Sequence, residues 1–150
     1  LDIDWSEDWQ RSGSFELLSK LINLSQLKEI WFLSSCKQTL QATKINTILE
    51  KAPNVHTFGI QNNGSFRGNI KKEFSVISNQ IEHLIIQSID IDAMKLILLH
   101  VKHISKITFI CNSRSLTTWT KFIEWLHEKE KKFSISSDRR SLQIWLKKEY

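Results

Sequence analysis

Proline occurs once, glycine four times and cysteine twice in this chain of 150 residues. So little glycine and proline excludes collagen-like and low-complexity disordered classes. Two thiols, Cys36 and Cys111, cannot supply the disulfide framework on which small secreted domains depend. Both are expected to be reduced core residues of an intracellular protein, cytoplasmic or nuclear. No apolar run approaches the ~18 residues that cross a bilayer. The densest stretch, Met94 to Val101, is broken by Lys95 and His100. The chain opens at Leu1 with no signal-peptide pattern, so a portion of a longer protein is expected.

Catalytic chemistry is missing in the same way. The sequence offers no nucleophile with a base and an orienting acid, no paired carboxylates and no phosphate loop. The segment from Asn62 to Gly68 holds two glycines but lacks the spacing of a phosphate-binding turn, and is expected to be a long connection. His100 and His103 with Cys111 lack the tight spacing of a zinc site, and no CxxC or HxxxH pair occurs. His56 and His83 fall at different register positions. Asp90 and Asp92 flank a helix start, where Asp caps exposed N–H groups. No enzyme, cofactor or metal is expected.

What the chain does hold is a repeat, and internal repeats decide a fold before anything else. An apolar-x-x-apolar-x-apolar skeleton recurs as Leu27/Ile30/Phe32, Val55/Phe58/Ile60, Ile81/Leu84/Ile86 and Ile104/Ile107/Phe109. Partial copies flank these, at Leu1/Ile3 and at Phe133/Ile135. The middle positions, 1, 30, 58, 84, 107 and 133, are separated by 29, 28, 26, 23 and 26 residues. Between the clusters, apolar residues take helical spacing: Phe15/Leu18/Leu21/Ile22, Ile45/Ile48/Leu49/Ala52, Ile70/Phe74/Ile77, Met94/Ile97/Leu98/Val101 and Trp119/Phe122/Ile123/Leu126. Pro53 ends the second of these helices. Leu142, Trp145 and Leu146 suggest a last helix over about 140–149, closing the array as a cap.

Alternating strands and helices imply parallel strands joined by crossovers. In a doubly wound sheet both strand faces are buried and the strands read as unbroken apolar runs. Here polar residues alternate with apolar ones, as in His56, Thr57, Gly59 and Gln61 around Val55, Phe58 and Ile60. A curved solenoid, with a parallel sheet on the concave side and helices on the convex side, fits that pattern better than a doubly wound enzyme domain.

The skeleton resembles the leucine-rich repeat, L-x-x-L-x-L-x-x-N/C, with a helix in each repeat. Asn63 and Asn112 stand at the ninth position of two repeats, while Ser35 (beside Cys36) and Ile89 depart from the pattern. The irregular repeat lengths and the segment from Lys51 to Ile60 resemble the repeats of F-box leucine-rich-repeat proteins. That resemblance implies about five repeats over 1–150, a protein partner and, with an F-box upstream, substrate recognition for a ubiquitin ligase.

The register sets three columns on the open sheet face: Glu29, Thr57, His83, Lys106 and Lys132; Trp31, Gly59, Ile85, Thr108 and Ser134; Leu33, Gln61, Gln87, Ile110 and Ser136. These columns, through the first four strands and without Gly59, are the expected partner-binding residues, and Trp31 is the natural anchor. Its competing role is contact with an N-terminal segment such as Trp5 and Trp9. Trp119, Trp125 and Trp145 sit among helical apolar residues and are expected as core and cap residues. The net charge of +5 is uneven, because Asp2, Asp4, Glu7 and Asp8 crowd the first ten residues. Basic residues such as Lys106, Lys131, Lys132, Arg139 and Arg140 make a nucleic-acid or acidic surface the alternative partner. Steep salt dependence would identify it.

Overall fold

The computed structural model describes residues 2–4, 23–34, 42–62, 74, 77–87, 90–101, 103–110, 116–129, 133–138 and 140–146. Within them the chain forms β1 (Asp2–Asp4), β2 (Glu29–Ser34), α1 (Ala42–Lys51), β3 (Thr57–Asn62), β4 (His83–Gln87), α2 (Ile91–His100), β5 (Lys106–Ile110), α3 (Leu116–Glu128), β6 (Phe133–Ser137) and β7 (Ser141–Leu146). A single 3-10 turn, Leu24–Gln26, precedes β2. The fold is α/β with a mostly parallel sheet. Among the described residues the sheet has seven strands in the order β1-β2-β3-β4-β5-β7-β6 and stays open.

The first five strands are parallel and lie side by side in chain order. Their register pairs Ile3 with Phe32, Ile30 with Phe58, Phe58 with Leu84 and Leu84 with Ile107. Those pairings reproduce the first four spacings of the sequence repeat without a slip. Burial explains why. Ile30, Phe32, Phe58, Ile60, Leu84, Ile86, Ile107 and Phe109 are all inaccessible to solvent. A shift by one residue would turn each of them out to water.

The approaches to neighbouring strands also share hydrogen-bond patterns. The amide of Leu27 donates to Leu24 O at 3.2 Å, that of Val55 to Ala52 O at 3.1 Å and that of Ile81 to Ser78 O at 3.1 Å. Then two successive amides share one carbonyl of the preceding rung. His56 and Thr57 donate to Lys28 O, Glu82 and His83 to His56 O, and Ser105 and Lys106 to Glu82 O, all at 2.9–3.2 Å.

The helices supply the other wall of the core. Ile45, Ile48 and Leu49 of α1, Ala93, Met94, Ile97 and Leu98 of α2, and Trp119, Phe122 and Leu126 of α3 join the strand residues in one buried cluster. Rings interlock across it, Phe32 with Phe58 at 5.2 Å between centroids and Phe109 edge-on to Phe122 at 5.7 Å. Asp90 caps α2, its carboxylate accepting from the Asp92 amide at 3.1 Å. Gln80 from the following rung bridges the end of α1 and the connection to β3, its Nε2 lying 3.4 Å from Leu49 O, 3.0 Å from Ala52 O and 3.3 Å from Val55 O. Phe74 and Ile77 are buried as their spacing requires. The expected first helix, with Phe15, Leu18, Leu21 and Ile22, lies outside the described residues, as do Trp5, Trp9, Ser35, Cys36, Asn63, Ile70, Ile89, Cys111, Asn112, Lys131, Lys132 and Arg139.

The expected closing helix over 140–149 is not formed in its described part. Residues 141–146 are β7, which runs antiparallel between β5 and β6. Two features override the helical spacing of Leu142, Trp145 and Leu146. Leu142 and Ile144 are both fully buried, a period of two that belongs to a strand. The preceding turn is also locked. Asp138 Oδ1 accepts from the Arg140 and Ser141 amides, each at 2.7 Å, and Oδ2 from Ser141 Oγ at 2.8 Å. Such an Asp turn reverses the chain where a helix would carry it on. β6 therefore does not stack on β5, and its register shifts by two residues: Ile135 pairs with Ile144, which pairs with Ile107.

Candidate binding face

In β2 to β5 the residues that alternate with the buried ones make up the second face of the sheet. Glu29, Thr57, His83 and Lys106 lie in one row across β2 to β5; Trp31, Gly59, Ile85 and Thr108 lie in the next. Leu33, Gln61, Gln87 and Ile110 form the third. The expected partner-binding residues of each column are thus brought together as neighbours. The fifth members differ. Trp145, Gln143 and Ser141 of β7 follow Lys106, Thr108 and Ile110, so Ser134 falls in the row of Trp145 and Ser136 in the row of Gln143. Trp145 accordingly leaves the place in a closing cap helix expected of it. It is 37% exposed and lies at the end of the open face. Trp119 is buried and Trp125 partly so, as their helical spacing requires.

Most of this face is neither dry nor fully wet. Thr57, Gln61, His83, Ile85, Gln87, Lys106 and Ile110 are all half-buried. Thr108 is buried at 7% exposure, and the hydroxyl has a partner, His83 Nε2, at 2.8 Å. Burial holds the His83 imidazole below its ordinary pKa; the Lys106 ammonium adds to this, while Glu29 acts in the opposite direction. A neutral ring can accept from the threonine hydroxyl. Lys106 in turn places its ammonium 5.2 Å from the centre of the Trp145 ring.

Trp31 is one of two tryptophans described on the face, and Gly59 of the adjoining strand accommodates it. A Cβ on residue 59 would stand 2.3 Å from Cδ2, 2.5 Å from Cε3 and 2.7 Å from Cε2 of the indole. The ring therefore lies over the glycine with its benzo portion against the backbone. Its Nε1 donates to the Glu29 carboxylate two residues earlier on the same strand. Glycine inside a strand weakens the strand, and a close approach of this kind is the usual compensation. The sequence marks Trp31 by its type and register, but the pairing with Gly59 needs the register to be known first.

The helical side of the molecule has its own exposed groups. Leu96 and Leu99 of α2 are 43% and 42% exposed, and Lys95 lies 5.6 Å from the Trp125 ring centre. Among the described residues no three His, Cys, Asp or Glu side chains group as metal ligands, and no helix is long and apolar enough to cross a membrane. No protein-family model and no curated protein matches the chain.

Proposed function

We propose that the chain is a protein-interaction scaffold of the leucine-rich-repeat kind, a solenoid segment that holds a partner protein on the helix-free face of its sheet. The observation that carries the proposal is the chain-order stacking of five parallel strands with one face turned away from every described helix. A strand order of this kind lacks the reversal at which doubly wound enzymes bind their ligands. The common hydrogen-bond pattern at the start of β3, β4 and β5 supports equivalent repeating units, each contacting its neighbours. Trp31, Ile85, Ile110 and Trp145 spread apolar area over that face among Gln and Ser side chains, a mixture suited to a polypeptide partner. No catalytic role is proposed. The resemblance to F-box leucine-rich-repeat proteins extends the reading to an intracellular substrate receptor of a ubiquitin ligase, conditional on an F-box in the same protein.

Selection of peptides from a displayed random library against the intact chain tests this. Binding of the selected peptides should be lost with Ile85→Lys or Ile110→Lys and retained with Leu96→Lys on α2. Circular dichroism would establish that each variant is folded. Peptides indifferent to both face substitutions would sink the reading.

A further inference from the structure

The two tryptophans of the face, each on the strand next to an edge, are built differently. Trp145 already has a cation of the chain itself, Lys106, over its ring. Trp31 has none among the described residues, yet its surroundings call for one more strongly. One indole face is laid down on Gly59, which leaves the opposite π-face directed away from the sheet. The ring is fixed in rotation by its Nε1 hydrogen bond to Glu29.

A π-face attracts a cation through its quadrupole, and a carboxylate one row away attracts it through charge, so both favour the same ligand. Between the two biological cations, a planar guanidinium can stack flat on the indole and present its edge N–H groups to a carboxylate, whereas an ammonium cannot. Nucleobases also stack on tryptophan, but their phosphates would have to run past Glu29. We infer that Trp31, Gly59 and Glu29 form a seat for an arginine side chain of the partner protein. The inference rests on the scaffold reading and specifies its partner as one that presents arginine at the β1–β2 end of the sheet.

The test is nuclear magnetic resonance of the 15N-labelled chain, with the Trp31 indole N–H signal assigned by its loss in Trp31→Phe. The probes are acetyl-arginine amide, its neutral isostere acetyl-citrulline amide, acetyl-lysine amide and a thymidine hexanucleotide. Acetyl-arginine amide should move the Trp31 signal, with the citrulline compound about tenfold weaker and the lysine compound between the two. Glu29→Gln should weaken the arginine response several-fold while leaving the rest of the spectrum in place. Equal responses to arginine and citrulline, or an unchanged response in Glu29→Gln, would overturn the seat. So would displacement of arginine by the oligonucleotide at a lower concentration, which would assign the platform to nucleic acid. Selected peptides that depend on Ile85 and Ile110 but ignore Glu29→Gln would remove the arginine seat and leave the scaffold reading standing. An arginine response without any face-dependent peptide would do the reverse.

Discussion

At the scale of single residues, three positions carry consequences that composition alone does not show. The first is Gly59, whose missing Cβ makes room for Trp31. Gly59→Ala should destabilise by about 1–3 kcal/mol, the range for overpacking a filled site. The same substitution in a Trp31→Ala background should cost far less, and chemical denaturation of the four chains in a double-mutant cycle measures the difference. Additive effects would mean that the ring does not lie on the glycine. The second is Gln80, which closes off the end of α1 from the next rung. Gln80→Ala leaves part-buried carbonyls with one donor fewer and should cost about 1–3 kcal/mol in the same assay. The third is His83. Its folded-state pKa lies below the reference of 6.5. The unfolded chain therefore binds more protons as the solution is acidified from that value, and stability falls as pH drops from about 6.5 through the folded pKa. Above 6.5 the contribution is fully present. Melting temperatures should decline over that interval in the native chain, and His83→Gln should flatten the decline. Gln80 and His83 could be named from the sequence only as polar residues near strands. What they touch depends on neighbours 25 to 31 positions away.

At the scale of elements, strand register was legible and the last element was not. Ile30, Phe58, Leu84 and Ile107 pair in the order and spacing that their sequence positions imply. Each carries the same burden, a fully buried apolar side chain, so each repeat reports its own alignment. The segment after Asp138 has no such redundancy. Leu142, Trp145 and Leu146 fit a helix, Leu142 and Ile144 fit a strand, and six residues are too few for period alone to decide. Asp138 decides it by accepting three hydrogen bonds across the turn, which also holds its carboxyl below the ordinary pKa. A reciprocal pair of substitutions checks this assignment. Ile144→Asp should abolish cooperative unfolding, whereas Trp145→Asp should leave the fold intact. A closing helix packed through Trp145 would give the opposite result. The same turn displaces Ser134 and Ser136 from the rows of Thr108 and Ile110, because β7 lies between β6 and β5.

At the scale of the whole molecule, the face is a product of stacking order. No single repeat contains a site. Glu29 and Trp31 come from one rung, Gly59 from the next, and His83 meets Thr108 across the one after. This is why the participating residues could be named in columns while their pairwise chemistry could not. Ile107 sits within the buried stack, flanked by Leu84 and Ile144. Ile107→Asp should therefore unfold the array as a whole, since a buried unpaired carboxylate costs several kcal/mol, a large fraction of a domain's stability. Loss of the near-ultraviolet tryptophan signal would report it.

The direction of β7 has one more consequence. Its strand reverses the sheet just where a sixth parallel strand would dock, so the parallel part of the sheet is ended on that side, and the scaffold reading predicts that its interior can be lengthened. Tandem duplication of residues 57–82 should lengthen the protein by one module, because the second copy of Thr57 would meet His56 O and the amides of β4 would meet Glu82 O of the first copy, carbonyls at the positions equivalent to those used now. A duplicate inserted after β5 would have to displace β7 from Lys106 to Ile110 before it could pair. Interior growth is thus permitted by the register, and growth at the hairpin is not.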